Sequence, residues 1–244
     1  MRNIKLTIQY DGTNYSGWQT QGNGRTVQEE IEKALRKILG SRVKLTGAGR
    51  TDAGVHALGQ AANFRTGTSL DASRIMRALN NSLPGDIVIS GAREVPLKFN
   101  SRHNSKSKLY RYTIVNGDFS NPMLRNYSAF VFYKLDVGKM KSAARLFVGR
   151  HDFKSFEAVG AGRKDAVRRI KKIHIQKVKE MIYIDIEADG FLYNMARNIV
   201  GTLIEIGRGK MDLSQGRKIL RARDRALAGP TAPARGLCLV EVKY

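Results

Sequence analysis

The sequence predicts an α+β fold, with antiparallel or mixed β-sheets carrying helices on one face of each. Three observations lead there. The opening MRNIKLTIQY alternates apolar and polar residues as a strand does. Capped amphipathic helix patterns then interleave with further strand patterns, and the stretches Ile170 to Val178 and Ile182 to Ala188 flank Lys179-Glu180 as a hairpin.

In order, Ile4, Leu6, Ile8 and Tyr10 line one face of the first strand. Thr26 with Glu29 reads as a capping box, and Val27, Ile31, Ala34, Leu35 and Ile38 make one helix face that stops at Gly40. A strand near Val43 to Thr46 enters a turn-rich stretch, Gly47 to Gln60, and Ala57 to Phe64 leaves it as another. Asp71 caps a second helix, with Ile75, Met76 and Leu79 inward and Pro84-Gly85 at its end, followed by a strand at Ile87 to Ile89.

The segment FNSRHNSKSK, Phe99 to Lys108, is polar and poor in apolar residues, which puts a boundary near residue 104. The second half, 105–244, repeats the grammar of the first, 1–104. Strands are expected at Leu109 to Val115 and Tyr127 to Tyr133. Asp136 caps a helix that turns Val137, Met140, Ala144 and Phe147 inward and closes at Gly149. After the hairpin come helices from about Leu192 to Ile206 and from Ser214 to Arg223, then a last strand, Leu237 to Tyr244.

Composition narrows the function. Lys and Arg number 43 against 21 Asp and Glu, a net charge of +22 in 244 residues. Such an excess favours a polyanionic partner, and with no apolar run of ~18 residues that partner is nucleic acid before membrane. Basic residues are thickest at Arg102 to Arg111, Arg163 to Lys179 and Arg208 to Arg225. Any one such run fits a solvated face; three together fit a phosphate-binding surface better. The single cysteine, Cys238, excludes an internal disulfide and a multi-cysteine zinc site. MRNIKLTIQY lacks the apolar core and cleavage site of a signal peptide, so the expected compartment is the cytoplasm.

The stretch GAGRTDAGVHALGQ, Gly47 to Gln60, holds the chemistry. Its glycines allow close backbone approach, and Asp52-Ala53-Gly54 sets a carboxylate at the tip of a bend, two residues after Arg50. Read alone, this fits a surface turn with an ion pair as well as it fits a carboxylate held ionised for reaction. A dinucleotide fingerprint would need glycine at position 52, and the Gly-Lys-Ser/Thr of a phosphate loop is absent. His56, His103, His151 and His174 show no ligand spacing and are expected to be structural; no metal or cofactor is implied.

The whole string GAGRTDAGVHA resembles the active-site motif of the tRNA pseudouridine synthase A family. YDGTNYSGWQTQ, GRTVQEEIEKAL, KLYRYTI, GRHDFKSF, FLYNMARNIVG and AGPTAPARGL resemble the blocks of that family in its order, so the resemblance spans nearly the whole chain. It implies two related α/β lobes facing across an active-site cleft, a homodimer, and conversion of uridine to pseudouridine at positions 38, 39 and 40 of the tRNA anticodon stem-loop, without a cofactor. It implies Asp52 as the catalytic aspartate and Arg50 as the arginine that helps extrude the target uridine. Tyr110 matches the tyrosine that stacks on the flipped base, Arg197 the second active-site arginine, and Leu237 the apolar wall of the pocket. Without it, Tyr110 reads as a core aromatic and Arg197 as a surface charge. Two rivals stand beside this reading. A non-catalytic basic RNA-binding protein accounts for the charge but leaves the carboxylate turn unexplained, and a synthase acting on ribosomal RNA would share the aspartate and differ in docking.

Overall fold

The computed structural model describes residues 1–22, 24–160 and 165–244. Arg163 and Lys164 of the second basic run lie outside the described residues. The architecture is α+β, and the chain divides into two compact units, Met1–Lys106 with Cys238–Tyr244 and Ser107–Leu237.

In the first unit β1 (Arg2–Tyr10) runs antiparallel to both β3 (His56–Thr66) and β4 (Ile87–Val95). Alternation sends Ile4, Leu6, Ile8 and Tyr10 into the core, where all four are buried. A register shift between Ile8 and Tyr10 bends the end of β1 where the chain leaves for the next loop. Helix α1 (Val27–Leu39) begins at Thr26, whose Oγ1 accepts from Glu29 N at 3.4 Å, and ends at Gly40 in the left-handed region. It packs on α2 (Ala72–Ser82), capped by Asp71, and α2 in turn covers β4. The strand expected at Val43 to Thr46 reduces to β2 (Thr46–Gly47), which pairs with Asn63 and Ala62 of β3. Beyond Ile89, β4 continues through SGAREV because β1 offers it a full ladder from Thr7 back to Asn3.

In the second unit β5 (Ser107–Asn116) pairs antiparallel with β9 (Met181–Ala188), β9 with β8 (Val167–Val178), and β8 with β7 (Gly149–Asp152). The expected hairpin is β8 and β9, turned at Lys179 with φ 52°. Short β6 (Ala129–Val131) lies parallel to β5, narrower than the expected Tyr127 to Tyr133. Helix α3 (Val137–Phe147) packs on β8 and on α4 (Met195–Gly207), with α5 (Leu213–Ala222) against α3. Gly149 does not end α3. Val148 caps that helix, and Gly149, at φ 113°, opens β7 instead. Helix α4 starts three residues later than the expected Leu192, because Asn194 takes φ 61° and breaks the helical path.

The seven residues of β10 (Leu237–Lys243) follow the second unit in sequence, yet Cys238 and Leu239 pair in parallel with His56 and Ala57 of β3. This pairing is why the end of the chain groups with the first unit.

Candidate active site

The stretch from Ala48 to Val55 is a loop without ladder partners of its own, so its shape comes from what grips it. Ala48 N donates to Ala61 O at 2.7 Å, and Gln60 Nε2 donates to Gly49 O at 3.0 Å. One step further, Thr51 is held twice. Trp18 N donates to its carbonyl at 3.1 Å, and its Oγ1 shares a 2.8 Å hydrogen bond with the buried hydroxyl of Tyr10. Gly54 N then donates to Tyr15 O, and Val55 N closes the turn on Asp52 O at 3.1 Å. The segment Tyr10 to Trp18 therefore clamps the loop along its length. Gly17, at φ 95°, lies so close that a Cβ there would stand 2.6 Å from Thr51 O.

Asp52 sits half-buried on this clamped turn, with Thr51 buried before it and Ala53 exposed after it. The expected bend carrying a carboxylate is what forms. Arg50 is exposed, and its Nε donates to Gln19 Oε1 at 3.1 Å. The buried ring of His56 accepts from Gly12 N through Nδ1 at 3.0 Å, with Asp11 Oδ1 3.1 Å from the same atom. Neutral imidazole satisfies the Gly12 bond; a proton on Nδ1 would satisfy Asp11 instead. The Tyr10 phenol is pushed above the usual phenol range by burial, with its bonds to Thr51 and Gln60 pulling the other way. Such a group acts as a neutral hydrogen-bonding post.

The other three expected residues belong to the second unit. Tyr110, on β5, is buried, and its ring meets Phe191 edge-on at 4.9 Å and 79°. Its neighbour on the same face, Tyr112, donates its hydroxyl to Pro233 O at 2.8 Å. Arg197, in the first turn of α4, is half-buried and not a surface charge. Its Nε donates to Ala232 O at 2.7 Å and its Nη1 to Asn194 Oδ1 at 3.0 Å. Leu237 is buried just after a short 3-10 turn, Ala234–Gly236.

What ties Arg197 to this turn is a buried polar cluster that sequence reading missed. Asn198, fully buried, donates to Phe156 O at 2.7 Å and accepts from Thr231 Oγ1 at 2.6 Å and Arg225 Nη2 at 3.0 Å. Thr202 Oγ1 accepts from Gly229 N at 2.9 Å. Gly201 lets the Pro230 carbonyl press onto the helix backbone, where any Cβ would overlap it. The loop from Gly229 to Gly236 is thus fastened to α4, and through Ala232 it fixes the guanidinium of Arg197. The only signal in the sequence was Asn198 among apolar residues at helical spacing, a polar residue on a buried face that must find partners.

Among the described residues no group of three His, Cys, Asp or Glu side chains could hold a metal, and no helix is long and apolar enough to cross a membrane. Taken separately, the first unit offers a carboxylate on a clamped turn, and the second a fixed aromatic and a fixed guanidinium.

The family profile described as tRNA pseudouridine synthase matches residues 6–104 and 143–244. A protein of Geotalea uraniireducens named tRNA pseudouridine synthase A is 50% identical over 244 residues, and one of the same name from Acetivibrio thermocellus is 48% identical, each covering 100% of both chains. Among solved structures, an H/ACA RNP bound to a substrate RNA containing 2'-deoxyuridine overlays 82% of this chain and 44% of its own at 12% identity and a TM-score of 0.37, too loosely to bear on chemistry. The clamped GRTDAG loop thus stands in a chain that shares about half its residues, end to end, with proteins of that name, and the chain belongs to the tRNA pseudouridine synthase family.

Proposed function

We propose that this protein isomerises uridine to pseudouridine in tRNA, at positions 38, 39 and 40 of the anticodon stem-loop, with Asp52 as the catalytic carboxylate. The single observation carrying the reading is the full-length identity with proteins named tRNA pseudouridine synthase A. The net charge of +22 suits a polyanionic substrate.

In the reaction the N1–C1′ bond breaks, the uracil turns, and a C5–C1′ bond forms. The C5 proton then leaves and N1 keeps one, so the product is an isomer and no electrons are gained or lost. Asp52 supplies the oxygen that acts as nucleophile or base as the base departs and the proton moves. Arg50 helps draw the uridine out of the stack, Tyr110 faces the flipped base, Arg197 stabilises negative charge beside it, and Leu237 walls the pocket. The clamps around Thr51 and the carbonyl of Ala232 on Arg197 support these roles, since a site acts best when its groups are held before substrate arrives.

The protein acts as a homodimer. Phe119, Met123 and Phe132 are 85%, 80% and 60% exposed, apolar surface that a second copy would cover.

Asp52→Asn tests the assignment, because it keeps size and turn preference while removing charge and the nucleophilic oxygen. Tritium release from C5-labelled uridine in an anticodon stem-loop should fall by several orders of magnitude, while filter binding of tRNA stays near wild type. Turnover within about tenfold of wild type removes Asp52 from the mechanism.

A further inference from the structure

The loop bearing Asp52 is anchored on three successive sides by groups that take no part in the chemistry proposed above. Gln60, fully buried on β3, holds the carbonyl of Gly49 before Arg50. Trp18 holds the carbonyl of Thr51 after it, and Tyr10 on β1 holds the Thr51 hydroxyl. These contacts fall on Gly49 and Thr51, the two residues that flank Arg50. Tyr10 is 5% exposed and Thr51 6%, in a place where an unmade hydrogen bond is not replaced by water.

We infer that Tyr10 is a positioning residue for the reaction: its hydroxyl, through Thr51, fixes the backbone from which Asp52 projects. The inference rests on the functional reading above. A carboxylate on a turn with one exposed flank would otherwise swing with its backbone, and a misplacement of about 1 Å is enough to cost about a hundredfold in rate. The Tyr10 phenol holds its proton beyond the ordinary range and is shut off from solvent, which suits a fixed post and not a proton carrier.

The test compares four variants in the tritium-release assay. Tyr10→Phe removes one hydroxyl and keeps the ring against Trp18, 6.0 Å away. Turnover at saturating tRNA should fall about 10- to 100-fold with KM within about twofold of wild type. Thr51→Ser keeps the hydroxyl and should keep turnover. Thr51→Val takes the Thr51 partner from the Tyr10 hydroxyl inside the core, so it should lose both turnover and melting temperature. The double variant, Tyr10→Phe with Thr51→Val, removes both partners and should recover melting temperature without recovering turnover. That split is what a merely structural role cannot produce.

Wild-type turnover in Tyr10→Phe overturns the inference and leaves the function intact. So does recovery of turnover together with stability in the double variant. If Tyr10→Phe fails to fold, Thr51→Ser against Thr51→Val still decides: equal turnover in those two overturns the inference. A wild-type protein that releases no tritium from any tRNA overturns the functional reading itself.

Discussion

Two nitrogens of the Arg197 guanidinium are committed within their own unit, to the Ala232 carbonyl and the Asn194 amide oxygen. A lysine has no fork with which to make both bonds, so Arg197→Lys should lower turnover by about 10- to 100-fold with unchanged circular dichroism. Tyr110 separates differently. Tyr110→Phe keeps the ring edge against Phe191 and should retain tRNA affinity, whereas Tyr110→Leu removes the ring; Tyr110→Leu folding normally with wild-type turnover would remove the residue from the proposed site. The settings of Asp52 and Arg197 differ in how far the sequence revealed them. The bend under Asp52 was readable because turn chemistry is local, written in RTDAG. The hold on Arg197 was not, because it comes from Ala232, 35 residues later, and helical periodicity alone puts the side chain off the apolar stripe.

Among elements, α4 and the loop after Gly229 behave as one piece because Asn198 satisfies three groups at once. Asn198→Ala leaves Phe156 O, Thr231 and Arg225 without that partner, and the cost should be about 2–4 kcal/mol in denaturant unfolding. Gly201→Ala should cost a similar amount by driving Pro230 off the helix, and the loop should then be cut by protease in the native state. Helices with caps, α1, α2 and α3, were legible because Thr26, Asp71 and Asp136 mark their first turns. Strand β7 was not. Its sequence GRHD has neither alternation nor β-branched residues, and it exists because β8 offers it a ladder.

On the scale of the whole molecule, charge and burial make opposite demands. With about five phosphates contacted, raising salt from about 50 to 200 mM should weaken tRNA binding by about two to three orders of magnitude, and binding that hardly changes would refute electrostatic docking. Stability should show the buried phenols. Burial raises Tyr10 and Tyr112 above the ordinary phenol value, so their contribution is complete below about pH 10 and is lost as pH rises past it. Urea midpoints measured from pH 8 to 11 should therefore fall at the alkaline end, and less steeply in Tyr10→Phe. The charge was plain in the composition. The partner of the last strand was not, since nothing in LCLVEVK says that it will join His56 and Ala57.

That late partner sets a timetable for synthesis. Ribosomes emit β3 about 170 residues before β10, which at about 5–20 residues per second is roughly 10–35 s. During that interval the backbone at His56 and Ala57, directly after the Asp52 loop, lacks the strand that will finish it. An open strand edge is a hazard for pairing with neighbours on the same message. It also means that the edge of β3 next to the Asp52 loop is completed last, although the contacts that grip the loop itself come from residues 10–18 and 60–61, made long before.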